Sequence, residues 1–220
     1  MALLRLQNVQ LSFGGPALLD DVNISIEHNE RICLIGRNGA GKSTLMDMIG
    51  GTTKPDSGSI DVTGTVSWPV GFKGSFHGQL TGAQNTKFIA RVYGVDTESL
   101  LDYVKDFAEL GSHLHMPVRS YSSGMRSRLA FGVSIGIPFD TYLVDEVTSV
   151  GDAAFKRKSR MAFKERMQSA GAIVVTHSMN QLRKLCQAGA VLEDGVLTYY
   201  DDIEEAISVH QANMGSDEDE

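Results

Sequence analysis

The chain has 220 residues, enough for one large domain with a well-buried core. Its formal net charge is −7, and the last four residues are all acidic, so the composition argues against a nucleic-acid-binding protein. The longest apolar uncharged run, Leu129–Phe139, is too short to cross a bilayer, so we expect no membrane-spanning helix. The N-terminus has no basic region followed by an apolar stretch, so we expect no secretory signal.

The first third of the chain predicts strands around one helix. The segments LLRLQNVQLSF and VNISI alternate apolar and polar residues, which is typical of half-buried antiparallel strands. RICLI is almost continuously apolar, and this predicts a strand covered on both faces. STLMDMI then predicts a helix that is stopped by Gly50 and Gly51, and SGSIDVTGTVSW predicts further short strands. We expect Cys33 and Cys186 to be buried, unpaired thiols.

The middle of the chain, roughly residues 75–138, is predicted to be helical. Thr81 followed by Gln84 forms a capping box ahead of the first helix. Apolar residues recur at helical spacing from Leu100 and predict a second helix that stops at Gly111. A third helix opens with a serine cap and ends before a proline.

The last third returns to alternating strands and helices. TYLVDE and AIVVT predict buried strands, and Asp152 caps a helix that runs to about Ser169. Ser178, with Gln181 in the capping-box position, is predicted to begin the next helix. AVLEDGVLTYY predicts a hairpin that turns at Asp194-Gly195, and a last helix follows.

Together these elements predict an α/β fold with a mainly parallel, helix-covered sheet, an antiparallel N-terminal layer and a helical insertion at 75–138. We expect a single domain over residues 1–214. Residues 215–220 are expected to form an acidic, disordered tail.

A glycine-rich loop follows the RICLI strand. Gly36, Gly41, Lys42 and Ser43 match the pattern G-x-x-x-x-G-K-[ST] in its required setting, between a strand and a helix, and this setting disfavours the alternative of an ordinary glycine-rich turn. The loop amides and the helix N-terminus can bind phosphate, Lys42 can reach the β- and γ-phosphates, and Ser43 can hold Mg²⁺. The predicted nucleotide-binding residues of the loop are Gly36, Arg37, Asn38, Gly39, Ala40, Gly41, Lys42, Ser43 and Thr44.

Two carboxylates end the YLVDE strand. Asp145 is expected at the sheet edge where ligands of such folds bind, and there it can hold Mg²⁺. Glu146 can act as the general base that activates water. Two acidic residues after a strand often only cap the next helix, but the glycine loop favours the catalytic interpretation.

The segment YSSGMRSRLAFG resembles the signature motif of ABC ATPases, LSGGQ. Ser122, Ser123 and Gly124 occupy the positions of its serine and two glycines, while Tyr121 and Met125 replace the leucine and the glutamine. The resemblance implies a P-loop NTPase of RecA-like type with the ABC ATPase fold. It also implies a homodimer, in which this motif of one subunit contacts the ATP bound by the other. Taken alone, the segment predicts only a serine-capped helix with an arginine-rich face.

Other positions are similar to the same family. Asp152 in EVTSVGDA matches the D-loop aspartate, and His177 in VVTHS matches the histidine that contacts γ-phosphate and positions the catalytic water. Phe13 in LSFGG matches the aromatic residue that stacks on adenine, with an ordinary core phenylalanine as the alternative. The family also carries a glutamine near position Phe72, which is missing here, and Gln79 lies seven residues further on.

Several stretches narrow the resemblance, which covers residues 3 to about 210. SWPVGF, LTGAQN, YSSGMRSRLAFG and VDEVTSVGDAAFK resemble the ATPase subunits of bacterial capsular-polysaccharide exporters. This implies an ATP- and Mg²⁺-dependent ATPase, peripheral at the cytoplasmic face of the inner membrane, beneath two copies of an integral membrane permease. The substrate would be a lipid-linked polysaccharide, export proteins of the periplasm and outer membrane would be indirect partners, and no nucleic acid is expected.

An alternative is open at this point. LLDDVNISIEHNERICLIGRNGAGKST also resembles soluble ABC proteins that act on ribosomes or nucleic acid, although those usually carry two ATPase domains in one chain. A P-loop GTPase is disfavoured because the chain has no N-K-x-D motif. The basic run from Lys156 to Arg160 is typical of a solvated helix face.

Overall fold

The structure is a computed structural model, and it describes residues 2–71, 74, 76–145, 152–176 and 178–215. Phe72, Glu146 and His177 lie outside these described residues, as does the predicted tail from residue 216 onward.

Eight strands and seven helices are described. The strands are β1 (Leu4–Ser12), β2 (Ala17–Ile26), β3 (Arg31–Ile35), β4 (Ser57–Val62), β5 (Thr141–Asp145), β6 (Gly171–Val175), β7 (Ala188–Glu193) and β8 (Val196–Tyr200). The helices are α1 (Lys42–Ile49), α2 (Gly82–Val92), α3 (Thr97–Ala108), α4 (Ser123–Gly136), α5 (Ala153–Arg166), α6 (Met179–Leu185) and α7 (Ile203–Gly215). Two short 3₁₀ helices, Gly111–His115 and Val118–Ser120, lie between α3 and α4.

The described residues divide into two compact units. The first contains the described residues within 1–69, 139–146 and 169–220, and it holds all the strands. The second contains those within 70–138 and 147–168, so α5 groups with the helices of the predicted insertion. Within the described part of the chain, no helix has the length and apolarity needed to cross a bilayer.

The larger sheet of the first unit has the strand order β5-β6-β3-β7-β8, and its first four strands are parallel. β3 is central, and Ile32 to Ile35 are buried, as the apolar RICLI segment predicts. The C-terminal ends of parallel strands lie at the same edge of a sheet. At this edge β3 leads into the glycine loop and β5 ends at Asp145. Cys33 and Cys186 are buried free thiols, which confirms the expectation.

The smaller sheet is antiparallel, with the order β2-β1-β4. Buried and exposed residues alternate along much of β1 and β2, and the buried side chains join the same core as Ile32 and Leu34 of β3. The predicted fold class, a mainly parallel sheet with an antiparallel N-terminal layer, is therefore confirmed.

The second unit is held together by aromatic side chains. The ring of Phe107 on α3 stacks on Phe131 of α4, with centroids 5.8 Å apart, and on Tyr103, at 5.6 Å. Phe155 of α5 meets Phe107 edge-on at 5.5 Å. Such ring pairs add about 0.5–1.5 kcal/mol each beyond their buried area, so this cluster fixes α3, α4 and α5 against one another.

Three local signals are confirmed. The Thr81 side chain accepts from the Gln84 amide while the Gln84 side chain accepts from the Thr81 amide, which completes the capping box. Asp152 caps α5 by accepting from the Phe155 amide at 2.9 Å. β7 and β8 form the predicted hairpin, and Asp194 and Gly195 both have the positive φ that its two-residue turn requires.

Two local signals were wrong in part. Ser178 lies at the N-cap position of α6, as predicted, but its side chain makes no cap hydrogen bond, and the Gln181 amide donates to the Ser178 carbonyl oxygen at 2.8 Å. The α3 helix ends before Gly111, at Ala108, because Glu109 takes the left-handed conformation, with φ 53°. At the C-terminus, α7 continues through Gly215, the first residue of the predicted tail.

Candidate functional site

The glycine loop connects β3 to α1 at the C-terminal edge of the larger sheet. Gly36 lies so close to β7 that a side chain there would overlap the carbonyl oxygen of Leu192. Gly41 has φ 100° and precedes α1 without any side-chain cap, so the first amides of α1 are not taken by a capping side chain. The loop therefore keeps amides available for an anion.

Lys42 is the first residue of α1 and folds back over the loop. Its Nζ donates hydrogen bonds to the carbonyl oxygens of Gly36 and Arg37, both at 2.7 Å. Burial lowers the pKa of Lys42 from its ordinary value, and the negative charge of Asp145 opposes that shift. Lys42 is thus a half-buried cation held at the mouth of the loop and within electrostatic reach of Asp145.

A cavity of about 400 Å³ lies over the loop. Its described lining comprises Leu18, Asn38, Gly39, Gly41, Lys42, Ser43, Thr44, Asp145 and Val175. The structure therefore brings Ser43 and Asp145, the two predicted Mg²⁺ ligands, into one cavity with the predicted phosphate-binding lysine. Cavities of this size hold small-molecule ligands.

The oxygen atoms in this cavity fit a magnesium ion. Asp145 offers a carboxylate and Ser43 a hydroxyl, which are hard ligands of the type that Mg²⁺ prefers. No cluster of three or more metal-ligating side chains occurs among the described residues. A nucleotide-bound Mg²⁺ needs only one or two protein groups besides phosphate and water, so the residues present are sufficient.

Phe13 follows the end of β1 and is 73% exposed. Ser12, just before it, is anchored to Asp56, whose carboxylate accepts from the Ser12 amide at 2.8 Å. The exposure of Phe13 contradicts the alternative of an ordinary core phenylalanine. Phe13 is not among the described residues that line the cavity, so its contact with a base stays a prediction.

The two predicted catalytic side chains, Glu146 and His177, lie outside the described residues. Their neighbours are described: Asp145 ends β5, and Thr176 follows β6, the strand beside β5 in the sheet. Val175, the last residue of β6, lines the same cavity as Asp145.

The predicted signature segment forms the N-terminus of α4. Ser122 is the cap, because its Oγ accepts from the Met125 amide at 3.2 Å. Ser122 and Ser123 are exposed, and a Cβ built on Gly124 would touch only Ser122 Oγ, at 3.9 Å. The two serines at the start of α4 are therefore accessible to a ligand or to another molecule.

Tyr121 replaces the leucine of the family motif for a structural reason. The side chain is 4% exposed, and its hydroxyl donates to the carbonyl oxygen of His113 at 2.6 Å. Burial raises the pKa of Tyr121. The residue therefore anchors the segment before α4 to the 3₁₀ helix Gly111–His115.

Arg128 joins the signature helix to the predicted D-loop aspartate. Its guanidinium lies 2.5 Å from the Asp152 carboxylate and 4.8 Å from the centre of the Phe155 ring. The hydrogen bond from the Phe155 amide, followed by the charge of Arg128, lowers the pKa of Asp152. Both residues line a cavity of about 500 Å³ with Ser122 and Gly124.

A second ion pair lies beside the first. Lys158 of α5 is 2.5 Å from the Glu109 carboxylate, and the hydrogen bond and charge of Lys158 lower the pKa of Glu109. The sequence analysis missed this network. One hint of it was present in the sequence. Arg128 follows Gly124 by four residues, so in a helix the two lie on the same face, at the end that carries the predicted signature motif.

The C-terminal helix α7 brings polar side chains close to the glycine loop. Burial lowers the pKa of His210 on α7, and the positive charges of Lys42 and Arg37 act in the same direction while Glu193 opposes it. Asn213, one turn further on, donates to the Glu193 side chain. The sequence analysis missed this neighbour as well, because α7 has no motif that points to the loop.

Comparisons with known proteins agree with this geometry. The profile of the family described as "ABC transporter" matches residues 19–149. The chain is 44% identical to the "Polysialic acid transport ATP-binding protein KpsT" of Escherichia coli, over 95% of this chain and 96% of that protein. It is 40% identical to the "Capsule polysaccharide export ATP-binding protein CtrD" of Neisseria meningitidis serogroup B, over 90% of this chain and 92% of that protein.

A solved structure supports the fold. It is the dimeric, post-hydrolysis ATP-binding cassette MJ0796 bound to ADP and Pi, which matches with a TM-score of 0.72 and 21% identity over 91% of this chain and 98% of that one. The family profile covers more than half of the chain, and the two relatives cover nearly all of it. The chain therefore belongs to the ABC transporter family.

Proposed function

We propose that this chain is the ATP-hydrolysing subunit of an ABC exporter that moves a lipid-linked capsular, or related cell-surface, polysaccharide across the bacterial inner membrane. The observation that best supports ATPase activity is that Lys42, Ser43 and Asp145 line the same cavity. The choice of cargo is supported by the relatives at 44% and 40% identity, whose names specify polysialic acid transport and capsule polysaccharide export.

ATP binds through the glycine loop. The amides of residues 36–44 and the N-terminus of α1 hold the phosphates, and Lys42 turns from the loop carbonyls toward the β- and γ-phosphates. Ser43 and Asp145 hold Mg²⁺, which neutralises charge on the phosphate oxygens when it is bound. Phe13, exposed after β1, stacks on the adenine.

Hydrolysis transfers the γ-phosphoryl group to water. Glu146 accepts a proton from the water, whose oxygen bonds to the γ-phosphorus as the bond to the β–γ bridging oxygen breaks. His177 positions the water and contacts the γ-phosphate. The products are ADP and inorganic phosphate.

A homodimer completes each site. Ser122 and Ser123 at the start of α4 are exposed in the single chain, and together with Gly124 they contact the γ-phosphate held by the other copy. Asp152 supports that contact from the D-loop of the same copy. Binding of two ATP molecules favours the closed pair, and loss of the γ-phosphate reopens it.

The pair works as a peripheral complex at the cytoplasmic face of the inner membrane. It docks on two copies of an integral membrane permease, through which the polysaccharide passes, and it acts indirectly with export proteins of the periplasm and outer membrane. Nucleic acid is not a partner, in keeping with the net charge of −7.

The alternative of a non-transport ABC ATPase acting on ribosomes or nucleic acid has less support. The relatives reported above are named for polysaccharide export or transport, and their lengths match this chain almost completely.

Purification of the chain from membranes tests the proposal. We expect an integral membrane subunit to accompany the affinity-tagged chain in equal amount after detergent extraction, with the soluble fraction of the same cells as the control. Recovery with ribosomes, or from the soluble fraction alone, would contradict the exporter and support the alternative.

A further inference from the structure

The solvent-facing side of α5 carries a row of cations. Arg157, Arg160 and Lys164 are exposed and follow one another at helical spacing, so they share one side of the helix over about 10 Å. We call these three residues the α5 basic face. Among the described residues, no side-chain hydrogen bond or ion pair involves any of these three cations.

Two further cations of α5, Lys158 and Arg166, behave differently. Lys158 is paired with Glu109 and also donates to the carbonyl oxygen of Asp106 at 2.8 Å. Arg166 donates to the carbonyl oxygen of Ile135 at 2.8 Å. These two basic side chains hold the helical unit together, whereas the α5 basic face is not needed for that purpose.

The charge of α5 stands out against the rest of the chain. The helix carries six Lys and Arg residues and one acidic residue, Glu165, which gives it a net charge of +5. Because the whole chain has a net charge of −7, all residues outside α5 together carry −12. The acidic residues outside α5 already give the protein the net charge that favours solubility, so the cations of α5 are not needed for that purpose. A compact row of one sign within an acidic protein attracts an anionic partner instead.

The packing of α5 restricts the kind of partner. Its apolar side chains Phe155 and Phe163 are buried inside the unit, so the helix has no apolar face to insert into a bilayer. Met161, 68% exposed, is the one large apolar side chain on the outer side. The solvent-facing side of α5 also has no aromatic residue, whereas aromatic residues are enriched in the core of protein–protein interfaces.

A linear polyanion fits these properties. Guanidinium groups bind carboxylates through paired hydrogen bonds, and a row of three cations matches successive acidic groups of a flexible chain without requiring a pocket. We propose that the α5 basic face binds the acidic polysaccharide substrate on the cytoplasmic side. The identity of the ligand rests on the proposed function, while the anionic character of the ligand rests on α5 itself.

The test measures binding of fluorescently labelled polysialic acid to the full-length chain by fluorescence anisotropy, at low and at high salt. We expect salt-sensitive binding that becomes about tenfold weaker in the triple variant Arg157→Gln, Arg160→Gln, Lys164→Gln, since three exposed ion pairs are removed together. The matched control is Lys54→Gln, Arg91→Gln, Lys105→Gln, which removes the same charge at exposed positions outside α5. It should bind like the unmodified chain.

Three results would overturn the inference. The first is equal affinity of the two triple variants for polysialic acid, and the second is no binding of polysialic acid at low salt. The third is that the α5 variant loses binding to vesicles of anionic lipid while it still binds polysialic acid, which would identify a lipid surface as the partner. ATP affinity and recovery with the membrane subunit are measured on the same preparations, so failure of the proposed function is seen separately.

Discussion

The two helix N-termini that we assign to phosphate, those of α1 and α4, differ in their surroundings. The start of α1 has no side-chain cap, follows a buried glycine and lies in a cavity with Lys42 and Asp145. The start of α4 is capped by Ser122 Oγ and carries two exposed serines, and Ser122 lines a separate cavity with Arg128 and Asp152. One terminus therefore offers uncapped amides and a lysine to an anion, while the other uses a serine to satisfy one of its own amides.

This difference explains why the second terminus needs a partner surface. A solvated helix N-terminus binds an anion weakly, because water competes with it and salt screens its partial charge. Enclosure by another molecule removes that competition. The contrast therefore agrees with a site in which α1 holds ATP and α4 of a second copy closes over it.

The largest expected effect comes from the Glu146→Gln variant. Loss of the general base should slow ATP hydrolysis by about 10² to 10⁴-fold while ATP still binds to the α1 site. The γ-phosphate then persists, and an ATP-bound dimer should accumulate in light scattering coupled to size-exclusion chromatography. Glu205→Gln, an exposed acid on α7, is the control. A normal hydrolysis rate in Glu146→Gln would exclude this residue as the base.

The Lys42→Ala variant tests the enclosed site directly. Removing a cation that makes charge-assisted hydrogen bonds to phosphate should weaken ATP binding by about tenfold to a hundredfold, measured by calorimetric titration. Lys54→Ala, an exposed lysine outside the cavity, should leave the affinity unchanged. Unchanged affinity in Lys42→Ala would remove the assignment of the glycine loop.

The Ser122→Ala variant tests the open site. Loss of the cap should destabilise the protein by about 1 kcal/mol, which thermal denaturation measures, and it should lower the ATPase rate without changing the ATP affinity of the single chain. Thr81→Ala removes a comparable cap from α2, so it separates the stability effect from the catalytic one. If the two variants have the same ATPase rate, α4 has no special part in hydrolysis.

The smallest expected effect is that of Arg128→Met. It removes the ion pair that holds Asp152 beside the start of α4, and one exposed ion pair contributes little, so we expect a few-fold fall in ATPase rate at unchanged ATP affinity. Lys105→Met removes an exposed cation from α3 and should have no effect. An equal rate in the two variants would mean that Arg128 does not position the D-loop aspartate.

Sequence reasoning succeeded where the signal and its partner are close in the chain. The Thr81 and Asp152 caps and the turn at Asp194-Gly195 each depend on hydrogen bonds or backbone angles within a few residues. It failed in part at Ser178, which begins α6 but makes no side-chain cap, since the Gln181 amide donates to the Ser178 carbonyl oxygen instead. The predicted positions Glu146 and His177 lie outside the described residues and stay predictions.

The residues missed by the sequence analysis are separated from their partners along the chain. Arg128 meets Asp152, Lys158 meets Glu109, and α7 places His210 near Lys42. No pattern of period 3.6 or 2 predicts such pairs, since they depend on how α3, α4 and α5 pack and on which strand lies beside β3.

The sequence by itself determined the glycine loop, the α/β order and the family, because the loop pattern and the strand and helix periodicities are local. Only the tertiary structure decided that Lys42, Ser43 and Asp145 share one cavity, and that Lys158 and Arg166 of α5 are paired within the helical unit while its other exposed cations face solvent. The physical reason is that sheet register and helix packing, which bring distant side chains together, result from many weak contacts summed over the whole core.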